Sequence, residues 1–425
     1  MKKSRLTYLL MFVSVMLMIL HPYTLYGKPG IVMVLLFAVS ALRHGQTLDF
    51  FRIYLLPCLL LLAIALVGAL SSLFHGIPQA NHPMAVVSLL IMILAARGVY
   101  LACERAGIGF HALLKIVLAS IVINSAIVLL EVQFDPLRQA IEMHLDQLTA
   151  SSINYAEGFR LRGIATSGGA SLSLTIPAAL IIALYLFDEG ALSAPTLAVT
   201  TVILLASVVV IGRSGIVLLV VPLAGYLMLM FARGRDLASL SRKVLGVVLV
   251  GALLAPLFYE LILAFFTDMF GEAFITYAFG FLLEGGDGIR DEGTVDAVAG
   301  FLTVLPLQWP EALVGYGFYG GSEFYPWTDS GYSRTFLSVG FVLGLCFYAI
   351  LLRMFLLGTG RYRFLLGSFV LLLLIAEAKE PLLYSGVASR MFILIAVFAY
   401  SMHSRKQSDV LKPGWAADAP ARNAA

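Results

Sequence analysis

The sequence predicts an all-α polytopic membrane protein with about twelve transmembrane helices and two long outer loops that carry short amphipathic helices. Hydrophobic residues make up 60% of the chain and charged residues only 12%, whereas soluble domains carry about 25% charged residues. Apolar runs of about 20 residues, the length that crosses a bilayer, recur along the chain. Such a composition requires an apolar environment, which a lipid bilayer provides.

The apolar runs define the predicted spans, of which the first follows a basic N-terminus. Although 6–20 has the polarity of a signal peptide, His21-Pro22-Tyr23 follows it without a small-residue cleavage site, so we interpret it as a retained span. The predicted spans lie near 6–20, 24–42, 53–74, 84–103, 110–131, 168–187, 194–212, 215–232, 244–266, 334–357, 363–380 and 386–402.

The distribution of lysine and arginine predicts the orientation. With the N-terminus inside, 18 of these residues fall on the inner side and nine on the outer side, as expected when basic residues favour the cytoplasmic face. Twelve spans also return the C-terminus to the inside. We therefore predict a single transmembrane domain over 1–402 and an inner tail over 403–425 whose end is disordered by composition.

Two predicted outer loops, 132–167 and 267–333, are much longer than the other connections. Long loops in compact domains are usually functional. The stretches 272–283 and 294–305 place apolar residues on one helical face, which predicts helices lying on the outer membrane surface.

Two arginine-containing elements border the membrane. Phe159-Arg160-Leu161-Arg162-Gly163 ends the first long loop, and arginine grips phosphate with a planar fork of donors; the alternative is an ordinary polar helix flank. Gly212-Arg213-Ser214-Gly215 interrupts a long apolar run, where an arginine costs about 2.5–3.5 kcal/mol at the bilayer centre. Arg213 is therefore predicted to face a polar cavity or an anionic ligand, unless it is simply a hairpin tip.

The second long loop carries ten acidic residues, one basic residue and fourteen aromatics. Carboxylates accept hydrogen bonds from sugar hydroxyls and aromatic faces cover sugar rings, so the loop suggests a carbohydrate surface. The alternative is an interfacial aromatic belt with a solvated acidic face. The three cysteines and seven histidines form no metal-ligand pattern, so no metal and no disulfide framework is expected.

The end of this loop reads Gly315-Tyr316-Gly317-Phe318-Tyr319-Gly320-Gly321, followed by Trp327-Thr328-Asp329-Ser330-Gly331-Tyr332-Ser333-Arg334. This Gly-rich segment and polar entry into a late span, preceded by Arg160-x-x-Gly163 and Gly212-Arg213-Ser214-Gly215, resemble elements of the Wzy-type polysaccharide polymerases in the O-antigen polymerase and ligase superfamily. The resemblance covers residues 155–345 and the overall topology.

The resemblance implies a bacterial inner-membrane glycosyltransferase with cytoplasmic termini and periplasmic long loops. It would join repeat units linked to undecaprenyl pyrophosphate, transferring the donor glycan to a lipid-linked acceptor and releasing the lipid diphosphate. The implied partners are these lipid-linked glycans, membrane lipids and a chain-length regulator. Neither a cofactor, a metal nor nucleic acid is implied.

On this hypothesis each candidate residue has a role. A departing diphosphate needs its charge stabilised by preorganised cations, and an acceptor hydroxyl needs a base. The pyrophosphate-binding candidates are Arg160, Arg162, Arg213 and Arg334; the base candidates are Asp329 and Glu323; the sugar-binding candidates are Tyr316, Trp327 and Tyr332. Lys379 and Arg390 either add positive charge or pair with Glu377 and Glu380.

Three alternatives stay open. A ligase of the same superfamily would carry a histidine near the end of the large loop, but no histidine occurs between His144 and His403. A lipid-linked oligosaccharide flippase would commonly show internal repeats and mid-span polar sites, and neither is evident. A structural subunit of an export assembly is the third.

Overall fold

The computed structural model of the chain is a bundle of helices. It describes residues 5–22, 24, 27–44, 48–144, 161–166, 169–221, 224–225, 228, 267, 308–319, 328, 330–356, 362–382 and 386–410. The helices are α1 (Arg5–Leu20), α2 (Pro29–Arg43), α3 (Leu48–Phe74, with a π-helical turn at Phe51–Leu55), α4 (Asn81–Arg105), α5 (Phe110–Gln133), α6 (Asp135–His144), α7 (Gly169–Ser173), α8 (Thr175–Asp188), α9 (Ala194–Ile211), α10 (Arg213–Val217), α11 (Glu311–Val314), α12 (Gly331–Leu356), α13 (Arg363–Glu377) and α14 (Gly386–Val410).

The described residues confirm a helical membrane protein. Seven helices are long and apolar enough to cross a bilayer, and none of the described residues belongs to a β-strand. Helices occupy ten of the twelve predicted spans, with α1, α2 and α13 only 15 or 16 residues long. The predicted spans 215–232 and 244–266, and most of the loop 267–333, lie largely or wholly outside the described residues.

Local sequence explains where several helices begin. Proline at the first position of α2 has no N–H to leave unsatisfied there. At the start of α9 the hydroxyl of Ser193 accepts a hydrogen bond from the N–H of Thr196, and Pro195 occupies the first turn. The first long loop contributes α6, which has no fully buried residue; the predicted surface helices over 272–283 and 294–305 lie outside the described residues.

The burial pattern separates central helices from peripheral ones. The residues of α14 from Met391 to Tyr400 are almost completely buried, as expected for a helix that is apolar on all sides and lies inside the bundle. By contrast, α2 and α3 expose leucines such as Leu36, Leu60 and Leu70, a surface suited to lipid. Helices α2 and α4 approach closely because Gly98 has no side chain where the Phe37 carbonyl lies.

The ends of many helices meet at one side of the bundle. We call this side the loop face: α1, α3, α5, α9 and α13 end there, and α4, α8, α12 and α14 begin there. Hydrogen bonds connect several of these helix ends. Ser71 at the end of α3 bonds the carbonyl of Gly315, and Arg390 at the start of α14 bonds the carbonyl of Ile19 at the end of α1. The described helices thus alternate in direction, while the predicted spans 215–232 and 244–266 lie largely or wholly outside the described residues.

Helix α12 is broken at Gly340, whose φ of 83° and ψ of 167° are not helical. A break within an apolar surround removes hydrogen bonds that the backbone must replace. The N–H of Tyr316 donates to the carbonyl of Leu337 at 2.8 Å, and the N–H of Gly317 donates to the carbonyl of Ser338 at 3.2 Å. Residues 316 and 317 therefore pair with the broken helix, and we call the segment 315–319 that contains them the strip.

The glycines of this strip are required by space and conformation. Gly315 and Gly317 have φ values of 69° and 79°, a region that side chains other than glycine rarely adopt. A Cβ on Gly317 would lie 2.5 Å from the carbonyl oxygen of Gly68 in α3, and a Cβ on Gly315 would lie 2.5 Å from the backbone nitrogen of Gly340. The hydroxyl of Ser71 completes the junction by donating to the Gly315 carbonyl at 2.7 Å.

The close fit of the strip predicts the effect of adding one methyl group. We expect Gly317→Ala to destabilise the protein by at least the ~1–3 kcal/mol of a strained backbone conformation, and so to lower the apparent melting temperature in detergent. Gly367→Ala is the matched control, because Gly367 lies within α13 with nothing within 4 Å of its Cβ position, and alanine favours helix. Equal melting temperatures for the two variants would contradict the packing described.

Candidate functional site

The turn that follows the first long loop is buried at the loop face. Leu161, Arg162 and Gly163 are all buried, and Arg162 is only 3% exposed. The Arg162 Nη1 donates to the carbonyl of Thr166 at 3.1 Å, so the side chain folds back along its own turn. Arg162 is thus held as a buried cation, as expected for a group that faces other polar groups and not lipid.

Two side chains of α5 hold this turn by its backbone. Asn124 donates from Nδ2 to the Arg162 carbonyl at 3.2 Å and accepts at Oδ1 from the N–H of Ile164 at 2.9 Å. Glu131 accepts at Oε2 from the N–H of Gly163 at 3.2 Å. Asn124 and Glu131 are seven residues apart and so share one helix face. Gly163, with φ of 59°, fits because a Cβ there would lie 2.5 Å from Asn124 Oδ1.

The same turn is joined to the end of α1. The N–H of Thr166 donates to the Leu20 carbonyl at 3.0 Å, and its hydroxyl donates to the carbonyls of Leu20 and His21. The Arg390 Nη1 donates to the carbonyl of Ile19 at 3.0 Å. Cations are favoured at the C-terminus of a helix, where carbonyls lack partners within the helix. The end of α1 therefore brings Arg390 and the Arg162 turn into one neighbourhood.

The positive charge of this neighbourhood acts on His21. Burial, together with the nearby positive charges of Arg390 and Lys28, lowers the pKa of His21 to about 4. His21 is accordingly neutral in the folded protein at physiological pH. Arg390, Lys28 and Arg162 thus form a cationic cluster around the end of α1, which we call the α1-end cluster.

The turn that carries Arg213 packs next to this region. A Cβ on Gly212 would lie 3.3 Å from the carbonyl oxygen of Gly169, and one on Gly215 would lie 2.6 Å from the carbonyl oxygen of Ser173, so the turn touches α7. Ser171 of α7 in turn accepts from the N–H of Val387 at the start of α14 at 3.1 Å. The structure therefore brings the backbone of Arg213 to the α7–α14 junction, while its side chain is outside the described residues.

The start of α12 forms a second polar group at the loop face. The buried carboxylate of Glu377 accepts from the Tyr348 hydroxyl at 2.9 Å, and that hydroxyl lies 3.1 Å from Thr335 Oγ1. A Cβ on Gly331 would lie within 2.5 Å of the Glu377 side chain, so the carboxylate sits at the N-terminus of α12, where the helix dipole favours negative charge.

Predicted site residues on α12 are used in this packing. The Arg334 Nε donates to the Thr328 carbonyl at 2.9 Å, and the Tyr332 hydroxyl donates to the Leu374 carbonyl at 2.7 Å. The connection from Leu382 to Gly386 spans four residues, or at most about 14 Å, so this group and the start of α14 are neighbours. Arg334 and Tyr332 are therefore close to the loop face, where both side chains bond backbone carbonyls.

Tyr316 lies in an aromatic group at the end of α3. Its ring is nearly parallel to that of Phe318, with centroids 5.9 Å apart, and both contact the exposed ring of His75. Further inside, the His82 ring stacks on Tyr319 at 4.4 Å. The predicted residues Arg160, Glu323, Trp327 and Asp329 lie outside the described residues.

The structure adds Asn124 and Glu131 to the candidate site, and sequence reasoning missed both. The available signal was Glu131 itself, an acid at the end of an otherwise apolar span, since ionisable residues within spans are expensive and usually functional. For Asn124 the sequence offers no indication of a functional role other than a polar side chain within an apolar span. Across the described part of the chain, no group of three or more histidine, cysteine, aspartate or glutamate side chains is arranged to hold a metal ion.

Comparison with known proteins gives no relative of this chain. No family model matches it, and no curated protein and no solved structure matches it. The functional argument therefore depends on the residues and their geometry.

The neutral state of His21 predicts a pH dependence of stability. In the unfolded chain a histidine takes up a proton near pH 6.5, whereas the folded His21 does so only near 4. Between these values the unfolded state binds more protons, so stability falls as the pH falls from about 6.5 to 4 and this loss is complete below 4.

We expect His21→Asn to reduce the fall in apparent melting temperature between pH 7 and 4.5. Asparagine tolerates the positive φ of 52° at this position, and it does not titrate. His144→Asn, at an exposed position of α6, is the control and should keep the wild-type pH profile. Identical profiles for His21→Asn and wild type would show that His21 is not held neutral.

Proposed function

We propose that the protein is a membrane glycosyltransferase that polymerises oligosaccharide repeat units linked to undecaprenyl pyrophosphate, at the periplasmic side of a bacterial inner membrane. The observation that carries the proposal is Arg162, a buried cation fixed by its backbone and side chain at the loop face. A diphosphate leaving group develops negative charge as its bond to the sugar breaks, and fixed cations stabilise that charge without reorganising.

The surrounding charges support the same chemistry. Arg390 shares the end of α1 with the Arg162 turn, and the backbone of Arg213 packs beside them. Arg160 and Arg334 are the remaining cations of the proposed diphosphate site. The lipid part of the substrate would lie in the bilayer, and its diphosphate would lie at the depth where these helices end.

The acceptor side of the proposed reaction is assigned from the sequence. Asp329 is the first candidate for the base that takes the proton of the acceptor hydroxyl, and Glu323 is the second. Tyr316, Trp327 and Tyr332 are proposed to contact sugar rings. For Tyr316 the exposed ring of His75 beside it supports this role, because aromatic faces at an aqueous edge are suited to sugars.

The broken helix α12 is a specific observation in favour of the second candidate, a lipid-linked oligosaccharide flippase, because transporters often bind substrate at broken helices. In transporters the freed backbone groups face the substrate. Here the carbonyls of Leu337 and Ser338 accept from the strip 315–317, so the chain itself satisfies them. This use of the break weakens the case for a flippase.

Deletion of the gene distinguishes the candidate functions by the glycan that accumulates. A polymerase mutant should display single repeat units at the cell surface. A ligase mutant should accumulate lipid-linked polymer, and a flippase mutant should retain repeat units on the cytoplasmic leaflet. Normal polymer length in the deletion strain would end the polymerase proposal.

Arg162→Ala should abolish polymer formation while the protein stays in the membrane. Loss of a preorganised donor to a developing negative charge typically costs about 10²–10³ in turnover, and glycan length on gels reports it directly. Arg353→Ala is the control, because Arg353 is exposed near the other end of α12, and we expect normal chain lengths from it. Normal chain lengths from Arg162→Ala would remove Arg162 from the proposed site.

The proposed orientation places the loop face in the periplasm. Ala80, before α4, and Ala194, at the start of α9, are both exposed and lie at opposite ends of the bundle. We expect a membrane-impermeant maleimide to label Ala80→Cys in intact spheroplasts and Ala194→Cys only after permeabilisation. The reverse pattern would contradict a periplasmic site.

A further inference from the structure

The Arg162 turn is fixed at three consecutive residues by two side chains from one helix. Asn124 bonds the carbonyl of Arg162 and the N–H of Ile164, and Glu131 bonds the N–H of Gly163, all at 2.9–3.2 Å. Asn124 is 2% exposed and Glu131 is 0% exposed. Polar side chains buried this deeply in an apolar helix are costly unless they have a role, and here each is used on the backbone of one turn.

We infer that Asn124 and Glu131 are positioning residues for diphosphate binding, forming a clamp on α5 that fixes the orientation of Arg162. The inference rests on the proposed function, since it names the residues that prepare the same site. It goes beyond that function by assigning a role to two residues of a membrane span.

The clamp acts at one end of the turn while α1 acts at the other. Thr166 bonds the carbonyl of Leu20 and also accepts the Arg162 side chain at its own carbonyl. With the Arg162 backbone tied to α5 and Thr166 tied to α1, the guanidinium has little freedom to change direction. A donor that is already oriented loses little conformational entropy when an anion binds. The clamp therefore increases the affinity of Arg162 for an anion.

Glu131 bonds the turn through one oxygen of its side chain. Only one of its oxygens, Oε2, is used by the turn, and Oε1 has no hydrogen-bond partner among the described residues. An amide would accept the same bond from Gly163, so the bond alone does not require a charge. The role of Glu131 in the clamp is therefore to accept this hydrogen bond from the Gly163 N–H.

The clamp is tested with the purified full-length protein in detergent, using farnesyl diphosphate as the probe. We expect Asn124→Ala and Glu131→Ala each to weaken its binding about tenfold, the effect of losing roughly one fixed hydrogen bond. Glu131→Gln keeps an acceptor for the Gly163 N–H, so it loses no hydrogen bond to the turn. Its affinity for the probe should therefore stay within about threefold of wild type. Ser120→Ala is the control, because the buried Ser120 bonds the Ile116 carbonyl of its own helix and does not bond the turn 161–166 among the described residues, and it should bind like wild type.

Two further measurements separate positioning from general destabilisation. Asn124→Asp keeps the acceptor for the Ile164 N–H but loses the donor to the Arg162 carbonyl, so it tests the clamp if Asn124→Ala does not fold. A cysteine in place of Ile164 reports the order of the turn. Its labelling by a maleimide, corrected for the native thiols, should accelerate when Asn124→Ala is added and should not change with Ser120→Ala.

The outcomes distinguish failure of the clamp from failure of the polymerase. Wild-type binding in Asn124→Ala and Glu131→Ala, or unchanged labelling at position 164, would overturn the inference even if the protein polymerises glycans. Weakened binding with faster labelling supports the clamp even if no polymerisation is found, in which case the polymerase proposal fails alone. Absence of farnesyl diphosphate binding in wild type would overturn the clamp as a device for diphosphate binding.

Discussion

Backbone hydrogen bonding in an apolar surround is the constraint on which the described structure depends. Inside a bilayer each unsatisfied N–H or carbonyl costs several kcal/mol, so irregular backbone persists only where other groups complete it. Among the described residues, the turn 161–166 and the strip 315–319 are irregular segments that enter the bundle, and other parts of the chain bond several of their backbone groups. Side chains of α5 and carbonyls of α1 complete the first, while the broken helix α12 and Ser71 complete the second.

These two insertions produce the polar character of the loop face. Each brings polar groups below the level at which the helices end, because the partners that complete them, such as Asn124 and Ser338, lie more than a turn inside their helices. The cost of burying such residues is offset by the bonds they make. An arginine placed in this setting has few waters to reorganise, which strengthens its interaction with an anion compared with one on an exposed loop.

The candidate site is only partly predictable from sequence. Arginine next to glycine at a span boundary was a readable signal, since guanidinium groups are costly near lipid, and the structure places Arg162 in a buried turn. The partners of that turn were not readable, because Asn124 and Glu131 are about 30 to 40 residues away and act through hydrogen bonds to backbone. The positions of Arg390 and of the Arg213 turn likewise depend on how α14 and α7 pack. Asp329, Glu323, Trp327 and Arg160 stay predictions from sequence.

The sequence by itself determined the membrane class and the helical architecture, because hydrophobic length and charge deficit act locally and need no knowledge of neighbours. It also located the glycines whose positive φ marks irregular backbone, although not their purpose. The tertiary structure decided that α12 breaks at Gly340, that the strip 315–319 fills the break, and that Asn124 and Glu131 hold the Arg162 turn. These features are pairings between distant residues, and no local preference specifies which carbonyl a freed N–H will find.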